Sequence, residues 1–225
     1  MELFGGLPYN TSLISFLTLI AYILLLLIGD CASGIPAARL QLRPQEYMLV
    51  RAGWRKWFRL VLLRCCLSAL AVCGVLLIPA LLRFPARETF YAWLLFTLHM
   101  EMIAAVQVLL IALLESGAAA SVPVLFVQLV SLLLSRLLPG AAALLLPGNW
   151  GSLSRTEEFE FPKLFRVMRR SSAAAQEPAE RFRETVAANL HGGFPLWAAV
   201  AGNLAVLLFI CLFGWRLIRR KHQRK

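Results

Sequence analysis

Five stretches of this chain run for about 20 residues with at most one charge each. Thr11–Gly29 has none, Leu60–Leu82 only Arg64, Thr89–Leu114 only Glu101, Ser121–Leu146 only Arg136, and Phe194–Trp215 none. As a helix, at about 1.5 Å per residue, each run reaches across a hydrocarbon core of roughly 30 Å. In lipid every backbone N–H and C=O must be paired, which a helix does within itself and an open strand cannot. The expectation is an all-α polytopic membrane protein, a single transmembrane domain over residues 1–225. Its spans fall near 11–29, 60–82, 89–114, 121–146 and 194–215, with a cytoplasmic loop at 30–59 and an extracellular loop at 147–193. Composition agrees. With 60% hydrophobic and 16% charged residues, the chain is more apolar and less charged than an ordinary soluble domain, which is about half apolar and a quarter charged. The first run lacks a basic leader and Asp30-Cys31 is a poor cleavage site, so it reads as a retained helix and not as a signal peptide.

The basic balance, 23 Lys and Arg against 12 Asp and Glu, gives an orientation. With five spans, the loop Asp30–Arg59 and the tail Arg216–Lys225 lie on one side of the membrane. That side carries basic residues more densely than the other, and the denser side is the cytoplasmic one. The N-terminus is then outside and the C-terminus inside. The +11 net charge is met by topology and anionic lipid, and nucleic acid is not an expected partner.

Motifs for chemistry are missing. The chain has no G-x-x-x-x-G-K-S/T phosphate loop, no H-E-x-x-H and no G-x-S-x-G. His99, His191 and His222 fall in different regions, so no local metal cluster forms and no catalytic residue is assigned. Cys31, Cys65, Cys66, Cys73 and Cys211 avoid the outer loop and read as reduced packing residues.

In the inner loop, Gly34 and Pro36 break the first helix and Pro44 can open the next, which would run from Gln45 into the second span. Tyr47, Trp54, Trp57 and Phe58 alternate with Arg51, Arg55, Lys56 and Arg59. Aromatic rings among cations suit a helix at lipid headgroups. They also suit a docking surface for a cytoplasmic protein, and the two readings are compatible.

The segment Glu46–Arg59, EYMLVRAGWRKWFR, resembles the one that follows an early transmembrane helix in type-two ABC-exporter permeases. The matching positions are Asp30, Gly34, Tyr47, Leu49, Arg51, Arg55, Lys56 and Trp57. The element Pro147–Thr156, PGNWGSLSRT, is similar to one that follows the penultimate span in small permeases of bacterial peptide-antibiotic export and immunity systems. The last span with its basic tail fits the same pattern. Such permeases usually have six spans and a cytoplasmic N-terminus, so a five-span chain lacks a span that would precede Met1. The outer segment 157–193 is also longer than the family's connection.

The resemblance implies a permease half in the bacterial cell membrane. It would pair with a second permease subunit, the same or different, and with separate ABC ATPase subunits that hold ATP and Mg. This chain would bind no cofactor itself. ATPase docking would fall to Glu46, Tyr47, Arg51, Arg55, Lys56 and Trp57. The implied substrate is hydrophobic or amphipathic, an antimicrobial peptide among the options. A non-transporting structural or accessory subunit is the alternative. A membrane enzyme using His99 and Glu101 is a third reading, for which two ionisable groups are too few.

Glu101 stands about 12 residues into the third span, roughly 18 Å from its outer end and near the midplane. A carboxylate there costs several kcal/mol unless paired, protonated or wetted. With His99, Gln107 and Arg136 it forms a candidate translocation path or inter-subunit seam. A structural ion pair, or a protonated carboxyl on a backbone carbonyl, is the competing reading. Pro139-Gly140 and Pro147-Gly148 interrupt the fourth run. The expectation is a helix to about Ser135, then a short segment still at membrane depth, shielded by protein or water. Beyond it, short amphipathic helices would lie on the outer leaflet as a surface cap or as a lid.

Overall fold

In the computed structural model, the structure describes residues 46–83, 86–134, 140–151, 156 and 194–223. Helix α1 spans Glu46–Arg83. It begins just after Pro44 and continues through the second apolar run, as the inner-loop pattern predicts. One residue interrupts it: Gly53 has φ 72 and ψ 152, a left-handed φ that side chains disfavour. The helix bends there, just before the stretch Trp54–Arg59 that leads into its apolar body.

Helix α2, Ala86–Leu114, returns antiparallel to α1. The indole Nε1 of Trp93 donates to the carbonyl of Cys73 at 2.7 Å, tying the two together. Of the most apolar stretch of each long helix, 67% is buried in α2, against 33% in α1 and 17% in the last helix. α2 is therefore the central element. Small residues permit this: Ala92, Ala104 and Ala105 are fully buried and let neighbouring backbones approach.

Glu115, at φ 59, and Ser116 form the turn to α3, Gly117–Leu134. The Ser116 hydroxyl accepts the Ala119 N–H at 3.3 Å and caps the new helix. α3 runs antiparallel to α2, held by Gln107 Nε2 donating to Ser121 Oγ at 2.7 Å. The fourth apolar run is not one straight helix. After α3 the chain makes two 3₁₀ turns, η1 at Gly140–Leu145 and η2 at Pro147–Asn149. Helix α4, Leu196–His222, then runs parallel to α2.

Among the described residues, three helical stretches have the length and composition to cross a membrane: Arg55–Val75, Phe90–Leu114 and Leu196–Lys221. They coincide with the second, third and fifth apolar runs. Gly117–Ser131 is a shorter apolar helix. The first expected span at 11–29, the loop residues 30–45, Arg136 and the expected outer amphipathic helices lie outside the described residues. Leu63 and Leu67 on α1, Val122 and Phe126 on α3, and Leu208, Phe209 and Leu212 on α4 are all exposed. Three helices thus present apolar faces outward around a buried fourth, which is compatible with a lipid surround.

One end of the bundle collects the cations. At the C-terminal end of α4, Lys221 Nζ donates to the Leu113 carbonyl and to Glu115 Oε1. A few turns back, the Phe58 ring fills the space over Gly214. Arg55, Lys56 and Arg59 of α1 therefore lie at the same end as Arg216, Arg219, Arg220 and the 115–116 turn.

At the opposite end, Thr156 and Phe194 form a single parallel β-bridge. Both residues are buried.

Candidate functional site

The PGNWG element is the centre of a buried polar clamp. Its local conformation follows from its own residues. Pro147 starts η2 with a fixed φ and no N–H to leave unpaired. Asn149 Nδ2 donates to the Ala143 carbonyl at 2.9 Å, and Trp150 Nε1 to the Leu144 carbonyl at 2.7 Å. Each side chain thus takes a carbonyl of the preceding 3₁₀ turn, so these backbone acceptors have partners within the protein.

The glycines set the approach distances. A Cβ on Gly148 would sit 2.6 Å from Ser131 Cβ and 3.1 Å from the Gln128 carbonyl of α3. A Cβ on Gly151 would sit 2.7 Å from His99 Cδ2 of α2. In α4, a Cβ on Gly202 would lie 3.1 Å from the Trp150 ring. The five-residue element therefore wedges between α2, α3 and α4, meeting α3 at Gly148, α2 at Gly151 and α4 through the Trp150 ring lying on Gly202.

His99 closes the clamp. It is fully buried, with Nδ1 at 3.0 Å from Asn203 Oδ1 and Nε2 at 3.1 Å from Gln128 Oε1. Asn203 Nδ2 donates to the carbonyls of Trp150, at 3.1 Å, and Ala199, at 3.0 Å. Since that amide nitrogen is committed to donation, Asn203 Oδ1 accepts and His99 Nδ1 carries a proton. An imidazolium would donate from both nitrogens to the two oxygens. A half-turn of the Gln128 amide would satisfy the neutral Nδ1–H tautomer instead. In either form, one imidazole joins α2, α3, α4 and the backbone of the wedge.

Below the wedge, toward the cationic end, is a cavity of about 270 Å³. Met102, Ile103 and Val106 of α2, Val124 and Val127 of α3, and Val206 of α4 form its walls, and Pro147 and Trp150 form its roof. Its lining is apolar apart from Gln128.

The sequence-selected polar residues separate in space. His99 belongs to the clamp. Glu101, two residues on, is half-buried on the side toward α1, within electrostatic reach of Cys66 and Cys73. Gln107 is buried against α3, and its Oε1 has no hydrogen-bond partner among the described residues. These three residues do not form one constellation, and Arg136 lies outside the described residues. Of the docking candidates, Glu46, Tyr47 and Arg51 precede the Gly53 break. Arg55, Lys56 and Trp57 follow it, with Arg55 and Lys56 exposed and Trp57 partly buried.

Cys65, Cys66, Cys73 and Cys211 are free thiols packed among the helices. Among the described residues no group of three His, Cys, Asp or Glu could hold a metal ion. Gln128, Ser131 and Asn203 were not singled out from sequence. A polar side chain inside an apolar run was the available signal, since such residues are expensive in lipid and take partners.

Comparison with known protein families, with characterised proteins and with solved structures finds no match. The described chain is thus an all-helical protein with three helices fit to cross a membrane, organised around a histidine-centred clamp.

Proposed function

We propose that the chain is the transmembrane permease subunit of an ATP-driven ABC transporter in the bacterial cell membrane, moving a hydrophobic or amphipathic substrate. The observation that carries this reading is the apolar cavity of about 270 Å³ beneath the wedge. The space below fits an apolar chain, and displacing the η element from its seat would give the protein a second arrangement. This is the two-arrangement logic that alternating access needs. The resemblance of Glu46–Arg59 and Pro147–Thr156 to exporter permeases supports the same reading. ATP and Mg would be bound by a separate ATPase docking on Glu46, Tyr47, Arg51, Arg55, Lys56 and Trp57. A second permease subunit would complete the path.

Within this reading the chain crosses the membrane five times, with the N-terminus outside and the cationic end in the cytoplasm. The clustering of Arg55, Lys56, Arg59, Arg219 and Lys221 at one end of the bundle supports that orientation.

A second reading is a structural subunit without a transport path. The same clamp favours it, because hydrogen bonds through one imidazole tie α2, α3 and α4 together and rigidify the core. ATP turnover separates the two. A transporter subunit purified in detergent brings down an ATPase and stimulates its turnover. Co-purification without stimulation supports the structural subunit and overturns the permease.

A further inference from the structure

The bend at Gly53 opens a cleft of about 630 Å³ between α1 and the end of α4. Four cations line it, Arg55, Lys56 and Arg59 from one helix and Arg219 from the other. Among the described residues no acidic side chain lines it or pairs with these four. Its remaining wall is apolar, formed by Leu60, Leu63 and the Trp215 indole. We propose that this cleft is a binding site for the phosphate headgroup of an anionic membrane lipid, with an acyl chain laid along Leu60 and Leu63.

The charge and the apolar surface are arranged in the order such a lipid presents them. Arg55 and Lys56 begin the stretch of α1 that is apolar enough to cross a membrane, so the cations lie where headgroups lie. Leu60 and Leu63 follow one and two turns deeper, and both are exposed. A guanidinium offers two parallel N–H groups to a phosphate, and two helices each supply at least one here. Trp215 completes the boundary. Its Nε1 donates to the Leu212 carbonyl at 2.9 Å, and Arg216 sits 5.5 Å from its ring centroid, holding the indole at the rim. An acidic protein segment would use the cations and leave the exposed leucines unsatisfied. A lipid uses both.

The inference requires only that the chain lies in a membrane, not that it transports anything. Arg59 and Arg219 are outside the proposed ATPase-docking set, so testing them separates the two proposals.

The full chain, purified in mild detergent, would be titrated with phosphatidylglycerol and with phosphatidylcholine, and retained lipid counted by native mass spectrometry. Wild type should retain phosphatidylglycerol about tenfold better than phosphatidylcholine, and Arg59→Gln/Arg219→Gln should lose that preference. Both residues are exposed, and an unchanged helical circular dichroism spectrum would show that the fold survives. Arg220→Gln/Lys225→Gln removes the same charge from the tail and should change retention by less than about twofold. Equal retention of the two lipids overturns the proposal, as does an equal loss in both double variants. Displacement of the lipid by inorganic phosphate would make the cleft a free-phosphate site. Binding of a decaglutamate peptide with no preference between lipids would make it a protein site.

Discussion

Gly151 and His99 are in mutual contact that leaves no room for a single methyl group. A Cβ on Gly151 would stand 2.7 Å from Cδ2, 2.8 Å from Cγ and 2.9 Å from Cβ of the buried imidazole. The imidazole that meets Asn203 and Gln128 therefore packs directly on the wedge backbone.

Gly151→Ala should therefore destabilise the fold by about 1–3 kcal/mol, the usual range for overpacking a filled site. Thermal unfolding in detergent reads it. Gly117→Ala, where nothing lies within 4 Å of the added carbon, should leave the midpoint unchanged or slightly raised. A Gly151→Ala protein that melts like wild type would mean the wedge is not seated as described.

Asn203→Leu removes the acceptor for His99 Nδ1 and the donor to the Trp150 carbonyl. Leaving buried polar groups unpaired should cost about 1–3 kcal/mol. Adding His99→Leu should cost less than the sum of the two single effects, because the second change removes a group already orphaned. Strict additivity in that cycle would deny the coupling.

At Gly53 the argument concerns backbone angle and not space. Its φ is 72 and nothing lies within 4 Å of an added Cβ. Gly53→Ala should cost about 1–2 kcal/mol through the left-handed φ alone. Gly74→Ala, in regular helix with equally open surroundings, should stabilise by up to about 1 kcal/mol. The opposite signs can be read from paired melting curves.

If the permease proposal holds, Glu101→Gln should impair transport while leaving assembly with the partner subunits intact. The carboxylate is half-buried among apolar neighbours of α1 and α2. Its neutral isostere keeps the volume while removing the charge. Reconstituted vesicles would measure it, and transport equal to wild type would sink a functional role for this residue.

The long apolar runs of α2 and α4, and the helix that continues from Glu46 into the second run, were legible in the sequence. Hydrophobicity over some 20 residues is a local property and survives without knowledge of neighbours. The break in the fourth run was legible for the same reason, since proline and glycine act on their own backbone. What could not be read was which polar residues meet. His99 and Asn203 are 104 positions apart, and their meeting depends on α2 and α4 running parallel, which no local pattern encodes. Proximity in sequence pointed to His99 with Glu101, yet two residues along a helix turn a side chain toward a different neighbour. PGNWG stood out as a motif, but its purpose as a set of close approaches appeared only once three helices surrounded it.

The Thr156–Phe194 bridge makes the molecule divisible. It sets Thr156 beside Phe194, two residues before the start of α4. Helix α4 is held to the other helices by Asn203, by Lys221 and by the packing of Phe58 on Gly214. Two co-expressed fragments severed between 157 and 193 should find each other in the bilayer and restore the parent assembly.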